Sequence, residues 1–244
     1  MKKFWQIMKA MVLAVFCMGL LVGGTFTWKG WQLYRQAVEE RPLMQVVAEV
    51  QAAENYTRLE QLPDFYLNAV VAVEDKRFYR HDGIDPISIC RAVLADVRAG
   101  SFVEGGSTIT QQLAKNLYFT QEKKLERKIA EVFVAWDLEE LCEKDEILEL
   151  YVNDIYFGAG YYCIHDAAQG YFNKLPADLT DAECALLAGL PNAPSVYNPK
   201  KNPELAAQRQ QQVLKRMVKC NMLTPEEASN LVILAQLLEA FETL

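Results

Sequence analysis

From Ala10 to Trp28 the chain runs for 19 residues without a charged side chain, AMVLAVFCMGLLVGGTFTW. In hydrocarbon every backbone N–H and C=O must find a partner inside its own segment, and about 20 apolar residues in a helix meet that demand across a bilayer. Lys2, Lys3 and Lys9 precede the run, and no acidic residue occurs before Glu39. The positive-inside rule therefore places the N-terminus in the cytoplasm, with Trp5 and Trp28 near the two interfaces. The competing reading is a cleaved signal peptide. The run is long for one, and no small-x-small site follows before Lys29. The expected organisation is a cytoplasmic segment 1–9, a transmembrane anchor 10–28, a polar, partly helical connector 29–60 and an exported domain 61–244.

A chain of 244 residues, 51% of them hydrophobic, holds enough apolar surface for a core beyond the anchor. The net charge of −7 speaks against a nucleic-acid partner. Six cysteines occur, with no metal-ligand spacing among them, and the five outside the span cannot all pair. They read as small buried hydrophobes.

The pattern beyond residue 61 is helical. In DGIDPISICRAVLADVRAG, Asp85 caps, Pro86 suits the first turn, and Gly100 stops the helix. Ile89, Cys90, Val93, Leu94 and Val97 share a face and are expected inward. A second helix begins near Ser107. A third, from about Glu122 to Leu141, is expected to turn Leu125, Ile129, Val132, Phe133 and Trp136 inward. A fourth begins near Lys144 and carries Ile147, Leu148 and Tyr151. TDAE at 180–183 and TPEE at 224–227 are capping boxes that open further helices. Long period-2 runs are missing, so the fold class is all-α, with at most a small hairpin.

Three segments carry chemistry. In VAVEDKRFYRHDG, residues 71–83, an apolar approach delivers Glu74 and Asp75 among Lys76, Arg77 and Arg80. Such an approach desolvates a carboxylate and raises its pKa, while neighbouring cations oppose the rise. An ion pair between Glu74 and Arg77 would make Asp75 the active group instead. In EGGSTITQQLAKN, residues 104–116, two glycines precede a helix start whose free N–H groups attract anions. Ser107, Thr108, Gln111, Gln112 and Lys115 follow. In EKKLERKIAEVF, residues 122–133, Lys123, Arg127 and Glu131 fall on one helical face. Taken alone that face is a solvated stripe with an Arg127–Glu131 pair.

Together these segments resemble the glycosyltransferase domain of the bacterial peptidoglycan polymerases, the family 51 transglycosylases. The resemblance covers about residues 60–220 and rests on EDKRFYRHDG, GGSTITQQLAKN, RKIAE, KDEILELYVNDIYFGAG and RQQQVLKRM in that order, with AAQGYF and AECALLAGLPNAPSVYNP matching the later region. Cys163 and Asn173 stand where glycines are usual. The Ser-x-x-Lys and Lys-Thr-Gly motifs of the transpeptidase domain that many relatives carry do not occur, and the chain ends at Leu244, so the likeness is to a monofunctional transglycosylase.

The resemblance implies a lysozyme-like helical catalytic domain behind the anchor. It also implies an inverting transferase of the bacterial cell membrane that polymerises lipid II into β-1,4-linked glycan and releases undecaprenyl pyrophosphate. By the same resemblance Glu74 is the base. Lys115, Lys123, Arg127 and Lys128 receive the departing diphosphate, and Ser107, Thr108, Gln111 and Gln112 hold sugar or phosphate oxygens. Glu131 is the second carboxylate, orienting those cations or holding a divalent ion, Mg or Mn. No cofactor is obligatory. Asn153 supports the site or acts as a cap, and residues 99–106 are a candidate flap. The implied partners are lipid II, the growing strand, the membrane and other wall-synthesis or division proteins. A lysozyme-like wall hydrolase and a non-catalytic scaffold are the alternatives.

Overall fold

In the computed structural model the apolar run lies inside one uninterrupted helix, α1 (Lys2–Glu40). The structure describes residues 2–101, 105–120 and 124–232. At about 1.5 Å per residue, the 39 residues of α1 reach about 58 Å, roughly twice the ~30 Å hydrocarbon core. By length and composition the helix is able to cross a membrane.

The expected break after Trp28 is not a structural boundary. α1 continues and packs on α6 (Leu125–Leu141). Gly30 makes the approach possible, since a β-carbon there would lie 2.5 Å from Cγ2 of Ile129. Trp31 meets Phe133 edge-on with ring centroids 5.0 Å apart, and Tyr34 donates to Asp137 at 2.7 Å. The next part of the expected connector, α2 (Leu43–Gln51), enters the core through Leu43, Val46 and Val47.

The helical domain continues with α3 (Asp64–Glu74), α4 (Pro86–Ala99), α5 (Ile109–Tyr118), α7 (Lys144–Asp154), α8 (Ile164–Phe172), α9 (Asp181–Gly189), α10 (Pro203–Lys219) and α11 (Pro225–Asn230). Among the described residues no strand occurs, and an isolated bridge between Gly158 and Tyr161 takes the place of a hairpin. The all-α expectation therefore holds. α5, α9 and α11 start on the capping boxes of Thr108, Thr180 and Thr224. α4 starts on Asp85 and stops on Gly100 in the left-handed region, φ 65°. Asn173 closes α8 in the same region, φ 53°, which asparagine tolerates better than most residues. Cys163 is the N-cap of α8 in extended backbone, a conformation that needs no glycine. The core is built from α3, α5, α7, α9 and α10, with Tyr66, Leu113, Leu148, Leu186 and Val213 fully buried.

Two faces expected inward point elsewhere. On α4, Ile89, Cys90, Val93, Leu94 and Val97 are exposed, and Val97 retains 74% of its accessible surface. The side that packs is the small one, Ser88 and Ala92, with Gly106 so close that a β-carbon would lie 3.4 Å from that of Ala92. On α6 the core receives Ala130, Val134, Ala135 and Leu138. Ile129 and Phe133 turn to α1, while Leu125 and Trp136 are exposed. Periodicity identifies an apolar face and is silent on whether protein or lipid covers it.

Asp154 ends α7 with its Oδ2 buried and unpartnered, and burial pushes its carboxyl up to about 7. Its folded pKa exceeds the unfolded value of about 3.9, so this residue's contribution is fully present below about pH 4 and is lost as pH rises to about 7. Asp154→Asn is expected to match the parent in thermal unfolding near pH 4 and to melt higher near pH 8, whereas a difference independent of pH would contradict the assignment. Gly30→Val is expected to cost about 1–3 kcal/mol of packing where α1 meets α6. Hydrogen exchange over residues 29–40 should then accelerate, and unchanged protection would show that the close approach is not needed.

Candidate active site

Glu74 is the last residue of α3, where the apolar face of Tyr66, Ala69, Val70 and Val71 ends. Its Oε2 accepts from Nε2 of Gln112 at 2.8 Å, and its Oε1 is enclosed without a hydrogen-bond partner. Burial pushes the carboxyl above its usual range. The donor of Gln112 and the charges of Arg209 and Lys115 pull the other way, and Asp75 adds to the rise. The opposing cations thus come from α5 and α10, not from Lys76 and Arg77 beside Glu74 in sequence.

Asp75 has a different task. Its Oδ2 accepts from Nε2 of His81 at 2.8 Å and from the backbone N–H of Ile109 at 3.2 Å. Arg77 pairs with Asp85 at 3.0 Å, so it is not the partner of Glu74. Asp85 caps α4 through Ile87 N at 3.0 Å. The segment 75–85 is therefore a brace, and it leaves Glu74 as the carboxylate that lines the groove.

α5 is amphipathic at helical spacing. Ile109, Leu113, Ala114 and Leu117 enter the core, while Gln112 and Lys115, three residues apart, line a groove of about 930 Å³ together with Glu74 and Ser107. Thr108 and Gln111 are spent on the helix start. The Thr108 hydroxyl donates to Gly83 O at 2.6 Å and accepts from Gln111 N, while the side-chain Oε1 of Gln111 accepts from Thr108 N. Gly83, at φ 79°, packs on Ala135, where a β-carbon would lie 3.2 Å from the carbonyl oxygen. Of the four polar residues expected here, Ser107 and Gln112 face the groove wall, whereas Thr108 and Gln111 build the turn behind it.

α6 supplies a charge cluster at the rim. Glu131, 1% exposed, accepts from Arg127 through Oε1 and from Nζ of Lys128 through Oε2 at 2.8 Å. Lys128 also donates to the Ser107 hydroxyl at 2.7 Å, which ties the cluster to the groove. Lys123 lies outside the described residues, as do residues 102–104 of the candidate flap. Asn153 is away from the groove. It clasps the 57–58 segment, accepting from Thr57 N and donating to Thr57 O, both at 2.8 Å.

The family model for Transglycosylase matches residues 40–218. The chain belongs to the transglycosylase family. Penicillin-binding protein 1A of Aquifex aeolicus (strain VF5) is 51% identical to this transglycosylase over 172 residues, covering 70% of this chain and 24% of the relative. Penicillin-binding protein 1A of Neisseria gonorrhoeae is 50% identical over 172 residues, covering 70% and 22%. The chain thus spans about a quarter of the length of the curated relatives it matches. A crystal structure of penicillin-binding protein 1A from Haemophilus influenzae is similar over 72% of this chain and 17% of that one, with 25% identity and a TM-score of 0.44.

The transglycosylase groove has a second cationic wall that reading motif by motif missed. Arg209, Gln212, Arg216 and Lys219 of α10, with Lys215, line it opposite α5. The signal was present as polar residues at i, i+3, i+7 and i+10 in RQQQVLKRMVK. Arg209 is fixed by its bond to Gly189 O at 3.0 Å and lies over the Tyr197 ring at 5.6 Å. The transglycosylase therefore holds Glu74 in a groove with Lys115 of α5 on one side and the cationic row of α10 on another, within a chain whose net charge is −7.

Burial holds the Lys115 ammonium below its usual range, Glu131 opposes that fall, and Arg127 and Lys128 deepen it. Glu131→Gln in the transglycosylase is therefore expected to lower the Lys115 pKa further. Titration of labelled lysine side chains by NMR checks this, and a pKa that stays or rises would exclude Glu131 as the neutralising charge.

Proposed function

We propose that this chain is a peptidoglycan glycosyltransferase that joins lipid-linked disaccharides, with lipid II as acceptor and the growing lipid-linked glycan as donor. The observation that carries the reading is Glu74, a carboxylate with a sheltered free oxygen, sharing one groove with Lys115 of α5 and the cationic row of α10. Transfer between two lipid diphosphates needs a base for one hydroxyl and positive charge for two diphosphates, and the groove offers both.

In this mechanism the 4-hydroxyl of the acceptor sugar gives its proton to the Glu74 carboxylate as its oxygen bonds to the donor's anomeric carbon. The bond from that carbon to the diphosphate oxygen breaks on the opposite face. The linkage is inverted to β-1,4, and undecaprenyl pyrophosphate leaves with the electron pair. Burial raises the proton affinity of Glu74, which strengthens it as a base so long as it remains ionised. Lys115 with Arg127 and Lys128 compensates the leaving diphosphate, an electrostatic task performed by charges already in place. The α10 row suits the acceptor's diphosphate.

Glu131 acts as the organiser of those cations. A guanidinium and an ammonium already occupy its two oxygens, and among the described residues no group of three or more His, Cys, Asp or Glu could hold a metal ion. A divalent ion, Mg or Mn, bound there would sit against both cations, so the surroundings of Glu131 do not fit a metal ligand and no step is routed through one.

The chain is membrane-anchored through α1. We place its N-terminus in the cytoplasm on the strength of Lys2, Lys3 and Lys9, and the groove on the outer face. The exposed apolar side of α4, whose Ala95 lines the groove, suits the lipid interface from which the substrates' tails rise. Incubation of the membrane-anchored chain with purified lipid II should yield glycan polymer, and Glu74→Gln should slow it by about 10²–10⁴-fold, the usual worth of a positioned general base. Polymerisation that survives Glu74→Gln would remove Glu74 as the base. Cleavage of finished glycan without polymer would make the protein a hydrolase.

A further inference from the structure

The two oxygens of Glu74 live in different settings. Oε2 is held by Gln112 at 2.8 Å, and Oε1 is enclosed and unpartnered. Gln112 is itself held from behind, because the Tyr151 hydroxyl lies 3.4 Å from its Oε1. That separation is long for a hydroxyl donor, but no accessible surface remains at Tyr151 through which water could compete. Burial pushes the Tyr151 phenol well above its usual range, so it keeps its proton and acts as a donor. A side-chain amide has one accepting end and one donating end. A fixed donor at the first end obliges the second to face the carboxylate as N–H.

We propose that Tyr151 and Gln112 are positioning residues for Glu74, with the buried phenol fixing the sense of the Gln112 amide so that it grips Oε2 as a donor and keeps the carboxylate ionised and oriented for the acceptor's proton. The proposal rests on the reading of Glu74 as the base. Gln112 lines the groove and Tyr151 does not, so Tyr151 acts through Gln112 rather than on substrate. Without the phenol the amide is free to invert. Its carbonyl would then meet the carboxylate, favour the protonated form and delay formation of the base.

Other groups also bear on Glu74 and stay in place in the variants. Lys115 of α5 and Arg209 of α10 favour its charged form, Asp75 opposes it, and Tyr66 of α3 faces it with Cys184 of α9 beyond. Arg91 of α4 and Arg216 of α10 line the small cavity beside it. Any movement of the acid limb on removing one neutral hydroxyl therefore reports the amide rather than a change of nearby charge.

The test is the pH dependence of kcat/KM for lipid II polymerisation by the full membrane-anchored chain. Gln112→Leu is expected to move the acid limb up by about one pH unit, the scale of one hydrogen bond to a carboxylate, with about tenfold loss of rate below the limb. Tyr151→Phe should move it in the same direction by less, and should add nothing in the Gln112→Leu background. A Tyr151→Phe enzyme that slows at every pH with an unmoved limb has lost only packing, and overturns the proposal. So does a further shift in the double variant. Should Tyr151→Phe fail to fold, an unmoved limb in Gln112→Leu is the overturning result and a raised limb the supporting one. Glu74→Gln run alongside separates the two levels: activity that persists there removes the base itself, whereas an inactive Glu74→Gln with unmoved limbs elsewhere removes the positioning pair alone.

Discussion

The groove depends on a carboxylate that does not face it. Asp75 is buried, and it ties the end of α3, the ring of His81 and the first N–H of α5 to one oxygen. A charged acceptor at a helix start satisfies a backbone donor that would otherwise be orphaned, and it complements the positive end of the helix dipole. Because α3 and α5 are joined at that point, Glu74 and Gln112 stand across from each other one helical turn away. Lys115 follows on the same face as Gln112.

Three acidic residues of this site show how surroundings, not residue type, set a role. Asp75 is saturated by donors and serves as a brace. Glu131 is engaged at both oxygens by two cations and serves to hold them. Glu74, next to Asp75 in sequence, receives one neutral donor and keeps an oxygen free. A carboxylate already engaged by strong donors is a weak base, so the one left partly unsatisfied is the one suited to proton transfer. The acidic residues that give the chain its negative balance lie largely away from the groove, whose α10 wall alone carries four cationic side chains, Arg209, Lys215, Arg216 and Lys219.

The helices, their caps and the family were legible in the sequence, because caps and apolar periodicity are local signals and the motifs are strung in order. Glu74, the proposed base, stood out within one of those motifs, and the fold sets it in the groove. The direction of two apolar faces was not. α4 turns its larger residues outward and packs through Ser88 and Ala92, and α6 has apolar residues on two sides that serve two neighbours. Nor could spacing show that Thr108 and Gln111 are consumed in a cap while Ser107 and Gln112, beside them, reach the groove. That distinction depends on Gly83 O, 25 positions away in chain order, arriving to take the Thr108 hydroxyl. The cationic face of α10 was readable as a stripe, but only the fold sets it opposite Lys115.

The unbroken course of α1 from the apolar run to Glu40 has a geometric result. A flexible tether would let the catalytic domain roll and drift over the bilayer. A stiff rod clamped to α6 by Gly30, Trp31 and Tyr34 instead fixes the height of the groove above the lipid and the compass direction in which it opens. One residue added to α1 ahead of the clamp would lift the groove by about 1.5 Å and swing it by about 100°, so the length of this rod works as a ruler and a dial at once.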